Sequence, residues 1–395
     1  MVEWTECSLE EIGEIIGGAT PSTKREDYYG GSIPWITPKD LSSFEGRFIS
    51  RGERNITEEG FRSCSTKMLP KGAVLFTSRA PIGYVAIASQ SVCTNQGFKS
   101  VVTNERADPL FVYYLLKHNR EYIEHLGSGT TFKEVSGKVM QSVKVRIPQD
   151  VHYQKKIASI LDSLDSQIET NKQINDNLQK QAQAIYREMF VSQGRTTTAT
   201  IADVSLNVTD GVHNTIHDDP NGKFFLLSCK NIKGGHLSIG PNERTINETV
   251  FSKLRRRTRL SKGDILISSV GTVGELLLLN TEPTHYEFQR SVAIVKPNPQ
   301  IISSYYLYES LTYQKNELIN AAHGAVQQCL FISDIAGFPI GVPEPETLLK
   351  FNSIVAPIFD SITVNETTSI TLRSIRDTLL PKLMSGEIDV SDVQL

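Results

Sequence analysis

The sequence predicts an α/β (α+β) protein with two globular domains, each followed by a long α-helix. The two helices are predicted to pair as an antiparallel coiled coil with pseudo-twofold symmetry. An internal repeat covers the chain, whose 395 residues are too many for one ordinary core. In each copy, short β-rich runs fill the first part, and a stretch with helical apolar spacing fills the second.

The repeat has a period of about 190 residues, so each copy is expected to form a domain. LPKGAVLFTSRAPIG at 69–83 matches LSKGDILISSVGTVG at 260–274, with six of the fifteen positions identical. ERNITEEGF at 53–61 matches ERTINETVF at 243–251, and YYL at 113–115 recurs at 305–307. The predicted order is a globular domain at 1–148, a helix at 149–195, a second globular domain at 196–343, and a second helix with a tail at 344–395.

The globular parts combine β-rich runs such as AVLF, VAIA and SVAIVKP with turn signals such as PKG, SKGD and PNG. A few helical stretches, such as PLFVYYLLKH, interrupt these runs. This mixture predicts a small, twisted sheet, mixed or antiparallel, with helices packed on it.

The two helical segments have apolar residues at alternating spacings of four and three, and 149–192 contains neither Gly nor Pro. We call each row of residues at these spacings a seam and each position in it a rung. Asn171 and Asn365 occupy equivalent rungs of the two seams. We expect them to face each other and fix the register, because a slipped pairing would leave a buried amide unsatisfied. Pro357 predicts a kink or a late start in the second helix. The alternative is two unrelated amphipathic helices, each packed on its own domain.

The composition favours a soluble cytoplasmic protein without a catalytic or metal site of its own. The charge is nearly balanced, with 41 Lys and Arg against 44 Asp and Glu, which argues against a strongly basic nucleic-acid binder. The five cysteines form no CxxC pair, and the N-terminus is acidic. The sequence contains no GxxxxGK[ST] loop for ATP binding, no GxSxG elbow and no HExxH motif. It also contains no Pro-Pro dipeptide, which the (Asp/Asn)-Pro-Pro-aromatic signature of amino-methyltransferases requires.

The remaining features suit the binding of an extended anion. KLRRRTRLSK at 253–262 is strongly basic, and GSGTTFKEVSGKV at 127–139 mixes small residues, hydroxyls and lysines. A solvated face and a mobile surface loop are the respective alternatives, and His213 with His217 could instead suggest a metal ligand pair. Reading bases requires polar side chains such as Arg, Lys, Asn, Gln or His in a groove. The candidate DNA-binding residues are Arg79, Gln96, Lys133 and Lys138 in the first domain, and His213, Arg255, Arg256, Arg257, Arg290, Gln327 and Gln328 in the second.

Positions that differ between the two copies are better candidates for base reading than positions that they share. The residues shared by 69–83 and 260–274 recur in both copies of the repeat, so they are predicted to build a turn and a strand. Arg79 against Val270 is the most informative difference.

The chain resembles the DNA specificity (S) subunit of type I restriction-modification systems over essentially its whole length. LRSIRDTLLPKLMSGEI at 372–388 and QAQAIYREMFVSQG at 181–194 carry much of this resemblance. IPWITPKDL, FTSRAPIGYVAIA, TNQGF and GTTFKEVSGKVMQSVKVRIP in the first domain add to it. The second domain departs further from the pattern, since VGTVGELLLL and HGAVQQCLFISDIAGFPIGVP match its overall arrangement but not its individual residues.

The resemblance implies that each globular part is a target recognition domain that reads one half of a bipartite, asymmetric DNA site. The helices would set the spacing between the halves and dock two methyltransferase (modification) subunits. The S subunit is not catalytic; S-adenosylmethionine, ATP and Mg are expected on the modification subunits and on restriction subunits where these bind. The alternatives are a DNA-binding regulatory protein without a methyltransferase partner and a coiled-coil scaffold that binds protein. If the helices act as a ruler, inserting four residues near Asn175 lengthens the gap and leaves both half-sites unchanged.

Overall fold

The protein forms two compact units in a computed structural model that describes residues 2–42, 44–79, 81–129, 133–192, 196–240, 242–324 and 328–394. Unit 1 comprises Met1–Thr170 and Ser369–Leu395, and unit 2 comprises Asn171–Thr368. Each unit therefore combines one globular region with part of both long helices. The four segments predicted from the sequence follow chain order instead.

The strands of unit 1 are β1 (Trp4–Ser8), β2 (Gly13–Gly17), β3 (Tyr29–Ile33), β4 (Trp35–Ile36), β5 (Phe48–Ile49), β6 (Val74–Ser78), β7 (Ile82–Ala88), β8 (Cys93–Thr94), β9 (Lys99–Thr103) and β10 (Lys144–Pro148). The unit is built around a five-stranded sheet in the order β2-β9-β6-β7-β5, in which only the β5–β7 pair is parallel. A separate antiparallel pair, β1 with β10, joins the two ends of the globular region, and β4 pairs with β8.

Several helices of unit 1 pack against this sheet, among them the fourth, which contacts β6, β7 and β9. This fourth helix also shows most clearly how the sequence sets the start of a helix. Asp108 caps it by accepting hydrogen bonds from the backbone N–H groups of Leu110 and Phe111, and Pro109 occupies its first turn. The helices are α1 (Leu9–Ile12), α2 (Pro38–Ser42), α3 (Glu58–Arg62), α4 (Pro109–His118), α5 (Arg120–His125), α6 (Gly137–Ser142) and the long α7 (Val151–Tyr186), which continues into unit 2.

Unit 2 repeats this plan. Its strands are β11 (Thr196–Thr200), β12 (Ser205–Asp210), β13 (Phe224–Leu227), β14 (Ile232–Lys233), β15 (His236–Leu237), β16 (Thr245–Ile246), β17 (Ile265–Ser268), β18 (Leu276–Leu278), β19 (Tyr286–Phe288), β20 (Val292–Pro297) and β21 (Pro339–Pro343). The main sheet has the order β12-β20-β17-β18, and β11 pairs with β21 as β1 pairs with β10. The helices are α8 (Glu248–Thr258), α9 (Ser304–Tyr313), α10 (Lys315–Asn320), α11 (Ile332–Ala336) and α12 (Pro345–Ser385), whose last part belongs to unit 1.

The long helices α7 and α12 pair in opposite directions in each unit. In unit 1, Asp165 contacts Arg376 of α12 at 2.6 Å, and the earlier Tyr153 contacts Asp389, which follows the end of α12, at 3.0 Å. In unit 2, the order of contacts is likewise reversed along the two helices, since Asn175 reaches Ile362 and Tyr186 reaches Phe351. The predicted α/β architecture with two long helices that pair antiparallel is confirmed.

The asparagines of the seam make a connected set of hydrogen bonds in unit 2. The Nδ2 of Asn171 lies 3.5 Å from the backbone oxygen of Asn365. The side-chain amide of Asn365 donates at 2.8 Å to the Oδ1 of Asn175, one rung further along α7. The side-chain amides of Asn365 and Asn175 therefore bond to each other. That Asn171 and Asn365 fix the register stays a prediction.

Pro357 does not delay the second long helix. Helix α12 begins at Pro345, where a proline suits the first turn, and runs without interruption to Ser385. The predicted late start at Pro357 is therefore wrong, and the alternative, a kink at this residue, stays a prediction. Val355 and Phe359, two residues before and after Pro357, are buried in the core of unit 2. Tertiary packing of this kind favours a continuous helix even though a proline cannot donate its backbone hydrogen bond.

Glu309 makes the stability of unit 2 depend on pH. Its side chain is 2% exposed on α9 and accepts a hydrogen bond from the amide of Gln183 on α7, and burial raises the pKa of Glu309 to about 8. A glutamate in the unfolded chain has a pKa of about 4.3, so unit 2 loses stability as the pH rises from there to about 8.

Glu309→Gln is expected to remove this loss, because the uncharged amide has no ionisation to suppress. The variant should gain about 4–5 kcal/mol over the wild type at about pH 8 and show little difference at about pH 4. Thermal unfolding across this pH range measures the difference. Glu317→Gln, at an exposed position on α10, is the matched control, and an equal response of both variants would contradict the prediction.

Candidate nucleic-acid interface

Three segments of unit 1 converge where β6 ends. The backbone N–H of Ser78 donates to the carbonyl of Gly97 at 2.7 Å, and the N–H of Val135 donates to the carbonyl of Ser78 at 2.9 Å. These bonds place Arg79, Gln96 and the residues before Val135 next to one another. The loop at 128–134 is closed by two further bonds, in which Ser128 and Glu134 each donate to the other's carbonyl.

A fourth segment reaches the same place through Gly18. The N–H of Ala19 donates to the carbonyl of Thr94 at 3.0 Å, and the hydroxyl of Thr20 hydrogen-bonds to the side chain of Gln96. A Cβ atom at Gly18 would lie 2.2 Å from two carbonyl oxygens, so only glycine permits this approach. We call the group formed by Thr20, Arg79, Gln96 and 133–134 the unit 1 loop edge.

The unit 1 loop edge carries an excess of positive charge. Arg79 and Lys99 both lie 3.7 Å from the carboxylate of Glu134, so two cations share one anion. Lys133 and Lys138 are exposed nearby, Lys138 in the first turn of α6. Partly exposed ion pairs of this length contribute little to stability. A phosphate or a base edge can therefore displace Glu134 from Arg79 at small cost.

Unit 2 builds the same framework with different side chains. Ser269 donates to the carbonyl of Ser291 at 2.9 Å, and Leu330 donates to the carbonyl of Ser269 at 2.8 Å. His323 and Cys329 each donate to the other's carbonyl at 2.8 Å, which closes a loop of the same length as 128–134. Gly211, like Gly18, lies against backbone carbonyls and would clash if it carried a Cβ.

The corresponding side chains follow from this shared framework. His213 takes the place of Thr20, Val270 that of Arg79, Arg290 that of Gln96 and Gln328 that of Lys133. We call these four residues the unit 2 loop edge. His213, Arg290 and Gln328 are exposed, and the Nε2 of His213 lies 2.6 Å from a carboxylate oxygen of Asp210. Gln327 lies outside the residues that the structure describes.

The basic run of α8 divides into residues with different roles. Arg255 forms an ion pair with the fully buried Glu287, donates to the carbonyl of Tyr286 at 3.0 Å, and also donates to that of Pro283. Burial raises the pKa of Glu287, which Arg255 in turn lowers. Arg255 therefore holds α8 on β19. Arg256 is exposed.

Arg257 connects α8 to the unit 2 loop edge. It donates to the carbonyls of Asp210 and Gly211, directly before the segment that carries His213. This guanidinium braces the turn at Gly211 and adds positive charge beside it.

Each loop edge therefore gathers three of the candidate residues of its unit. Arg79, Gln96 and Lys133 meet in unit 1, and His213, Arg290 and Gln328 meet in unit 2. The sequence reasoning missed Thr20, Glu134, Lys99 and Asp210. A glycine-centred signal was present, because GGATPST at 17–23 and DGVHNTI at 210–216 occupy matching positions of the repeat.

Two repeated α/β units with paired long helices define a class of which solved structures are known. The S subunit of a type I restriction-modification system from M. genitalium superposes with a TM-score of 0.55 over 97% of this chain and 96% of its own, at 17% sequence identity. This likeness establishes the fold. A family model described as the type I restriction modification DNA specificity domain matches residues 1–180.

Curated relatives establish the family. The MjaIX specificity subunit of a type I restriction enzyme from Methanocaldococcus jannaschii is 33% identical over 417 positions, which cover 99% of this chain and 95% of the relative. The EcoR124I/EcoR124II specificity subunit from Escherichia coli is 31% identical over 173 positions, 42% of this chain and 41% of the relative. The chain belongs to the family of type I restriction enzyme specificity subunits.

Proposed function

We propose that this chain is the DNA-recognition subunit of a type I restriction-modification complex and that each unit reads one half of a bipartite, asymmetric site. The observation that supports this proposal most directly is the pair of loop edges, which share a backbone framework but differ in the side chains they present. Thr20, Arg79 and Gln96 in unit 1 are replaced by His213, Val270 and Arg290 in unit 2. Two readers of different sequences need this combination of constant support and variable contacts.

The chemistry of the loop edges suits base reading in a major groove. Arginine bonds two acceptors of guanine, and glutamine bonds the donor and acceptor of adenine. Arg79 and Gln96 in unit 1, and Arg290 and Gln328 in unit 2, supply these groups. Lys133, Lys138 and Arg256 are placed to contact phosphates, which fix position without selecting sequence. Arg255 is left out of this set because its side chain is occupied by Glu287.

The long helices support the spacing and docking part of the proposal. At about 1.5 Å per residue, the 36 residues of α7 and the 41 of α12 are about 54 and 62 Å long. Helix α12 also carries large apolar side chains that are at least 63% exposed, at Leu349, Val364 and Ile370. We propose that two methyltransferase (modification) subunits dock on the long helices and cover these side chains.

The catalytic steps are assigned to partner subunits. In this proposal the chain itself is not an enzyme, and S-adenosylmethionine, ATP and Mg bind the modification subunits and any restriction subunits. Partner subunits also supply phosphate-neutralising surface, which agrees with a net charge of −3 on this chain. Among the residues that the structure describes, no helix combines the length and the apolarity needed to cross a membrane.

Replacing Arg79 by glutamine is expected to weaken specific DNA binding by about ten- to a hundredfold, because one bidentate contact contributes about 1–3 kcal/mol of discrimination. The loss should be confined to one half-site, and the folded chain should keep its stability because the pair with Glu134 is long and partly exposed. Binding of the assembled complex to DNA with single-base changes measures this.

Arg62→Gln is the control for Arg79→Gln, since Arg62 is an exposed arginine on α3 and not part of the loop edge. It removes the same charge and should change affinity by less than about threefold. Equal losses in the two variants would reduce the role of Arg79 to general electrostatics.

Mapping methylated adenines at base resolution, in cells with and without this chain, tests the proposed function as a whole. A split motif that disappears with the chain supports it. Specific DNA binding without any change in methylation would favour the regulatory DNA-binding protein. Absence of any preferred duplex would favour the coiled-coil scaffold that binds protein.

A further inference from the structure

Both units extend a cationic side chain from the globular region onto the long helices, at matching places in the repeat. In unit 1, Gly46 and Arg47 precede β5, and in unit 2, Gly235 and His236 lead into β15. The chain reaches them from Leu41 and Ile232, which correspond in the repeat, with a connection two residues shorter in unit 2. We call the two contacts the Arg47 clasp and the His236 clasp.

The Arg47 clasp uses every nitrogen of the guanidinium. Arg47 is 5% exposed, and its Nη1 donates to the carbonyl oxygen of Asp162 at 2.9 Å and to its carboxylate. The Nη2 donates to Ser166 at 2.9 Å and to Glu169 at 3.0 Å, and the Nε donates to Glu169 at 3.2 Å. All three partners lie on α7, so this side chain fixes the globular region of unit 1 on the helix.

The His236 clasp holds both long helices with a titratable group. The Nδ1 lies 3.1 Å from the carboxylate of Glu366 on α12, and the Nε2 lies 3.8 Å from that of Asp176 on α7. The Nε2 is buried without a hydrogen-bond partner, because 3.8 Å is too long for one. An imidazolium placed between two carboxylates is the form that this arrangement favours.

The turn that carries His236 is pressed against its surroundings. A Cβ at Gly235, which has a φ of +80°, would lie 3.0 Å from the hydroxyl of Tyr308 and 3.1 Å from Gln179 of α7. The N–H of Gly234 donates at 2.7 Å to Glu275, which also pairs with Lys315. The charged or titratable groups around the clasp are Glu366, Asp176, Lys172, Glu275, Lys315, Lys233 and Tyr308.

The two clasps respond differently to pH. Arginine keeps its charge throughout the physiological range. The hydrogen bond to Glu366 raises the pKa of His236 against the opposing effect of burial, with Asp176 adding to the rise and Lys172 opposing it. A raised pKa means that the stabilisation from His236 is complete below the unfolded-state pKa of about 6.5 and is lost as the pH rises through the folded-state pKa.

We propose that Arg47 and His236 are equivalent positioning residues that hold each globular region on the long helices, and that only the His236 clasp loosens as the pH rises. The inference rests on the proposed function, because the positions of the two readers on the helices decide whether they reach both half-sites together. It adds an asymmetry, since the orientation of one reader is independent of pH while that of the other is not.

Amide hydrogen exchange of the full chain tests the clasp without reference to DNA. Between about pH 6 and about pH 8.5, the protection of 232–237, corrected for intrinsic exchange, should fall by about threefold or more in the wild type. His236→Arg should remove this change, and His236→Gln should give low protection at both pH values. The protection of 46–49 should not change. A wild-type response that persists in His236→Arg, or is absent from the start, would overturn the inference.

The reciprocal change and the assembled complex complete the test. Arg47→His should transfer the pH response to 46–49; if that variant does not fold, the His236 variants still decide. In the complex with its modification subunits, the methylation rate on the bipartite site should fall more steeply with pH for the wild type than for His236→Arg, by about threefold. Identical profiles would reject the inference even where methylation occurs. No sequence-specific methylation by the wild type would instead reject the proposed function and leave the exchange result standing.

Discussion

Replacing Asp165 by alanine is expected to destabilise unit 1 by about 3–5 kcal/mol. The side chain of Asp165, on α7, is 8% exposed and accepts hydrogen bonds from the hydroxyl of Tyr114 at 2.9 Å and from the guanidinium of Arg376 at 2.6 Å. Tyr114 belongs to α4 and Arg376 to α12, so this one carboxylate ties three helices. Its removal leaves a partly buried cation and a buried hydroxyl without their acceptor.

Asp377→Ala provides a control on the same arginine. Asp377 also bonds Arg376, at 2.8 Å, but its side chain is 64% exposed, so its loss should cost less than about 1 kcal/mol. The two tryptophans, Trp4 and Trp35, both belong to unit 1, so urea unfolding followed by tryptophan fluorescence reports this unit. Equal effects of the two substitutions would show that burial of Asp165 is not what gives the network its strength.

The long helices were the most predictable part of the fold, because apolar residues at alternating spacings of four and three over about forty residues predict one long helix whether or not it pairs with another. The partners across the seam were less predictable. Asn171 and Asn175 are successive rungs on α7, and either one satisfies the spacing opposite Asn365. Only the packed structure shows that the Asn365 amide bonds Asn175, while Asn171 reaches the backbone of Asn365.

The candidate interface was predictable where the repeat could be used. Shared residues such as Gly72 and Gly263 adopt φ near +90° in both units, as expected of a common turn, while Arg79 and Val270 differ at the loop edges. Contacts between distant segments were not predictable. In the sequence, Arg255 looks like a surface cation. In the structure it pairs with Glu287, which lies 32 residues further along the chain and is fully buried.

Lengthening both long helices by one heptad, between Thr170 and Asn171 and between Thr368 and Ser369, is expected to lengthen the gap of the DNA site. The boundary between the two units crosses α7 and α12 at these positions. Seven residues preserve the alternation of fours and threes, so each half of the seam keeps its own contacts. They add about 10.5 Å of helix, and DNA advances about 3.4 Å per base pair, so the gap should grow by about three base pairs.

The complex with lengthened helices should methylate a site with the longer gap and unchanged half-sites, and methylation of the original site should fall by at least about a hundredfold, since one half-site is lost. A heptad inserted into α7 only is the control. It separates Asn171 and Asn175 from their partners around Asn365 or forces a bulge, so methylation should fail at both gaps. The four-residue insertion near Asn175, which the sequence alone predicts to lengthen the gap, also changes α7 only, so the contacts in the structure predict that it fails in the same way. If the paired insertion keeps the original gap, or changes which bases are read, the helices do not set the spacing and the loop edges reach their half-sites independently of helix length.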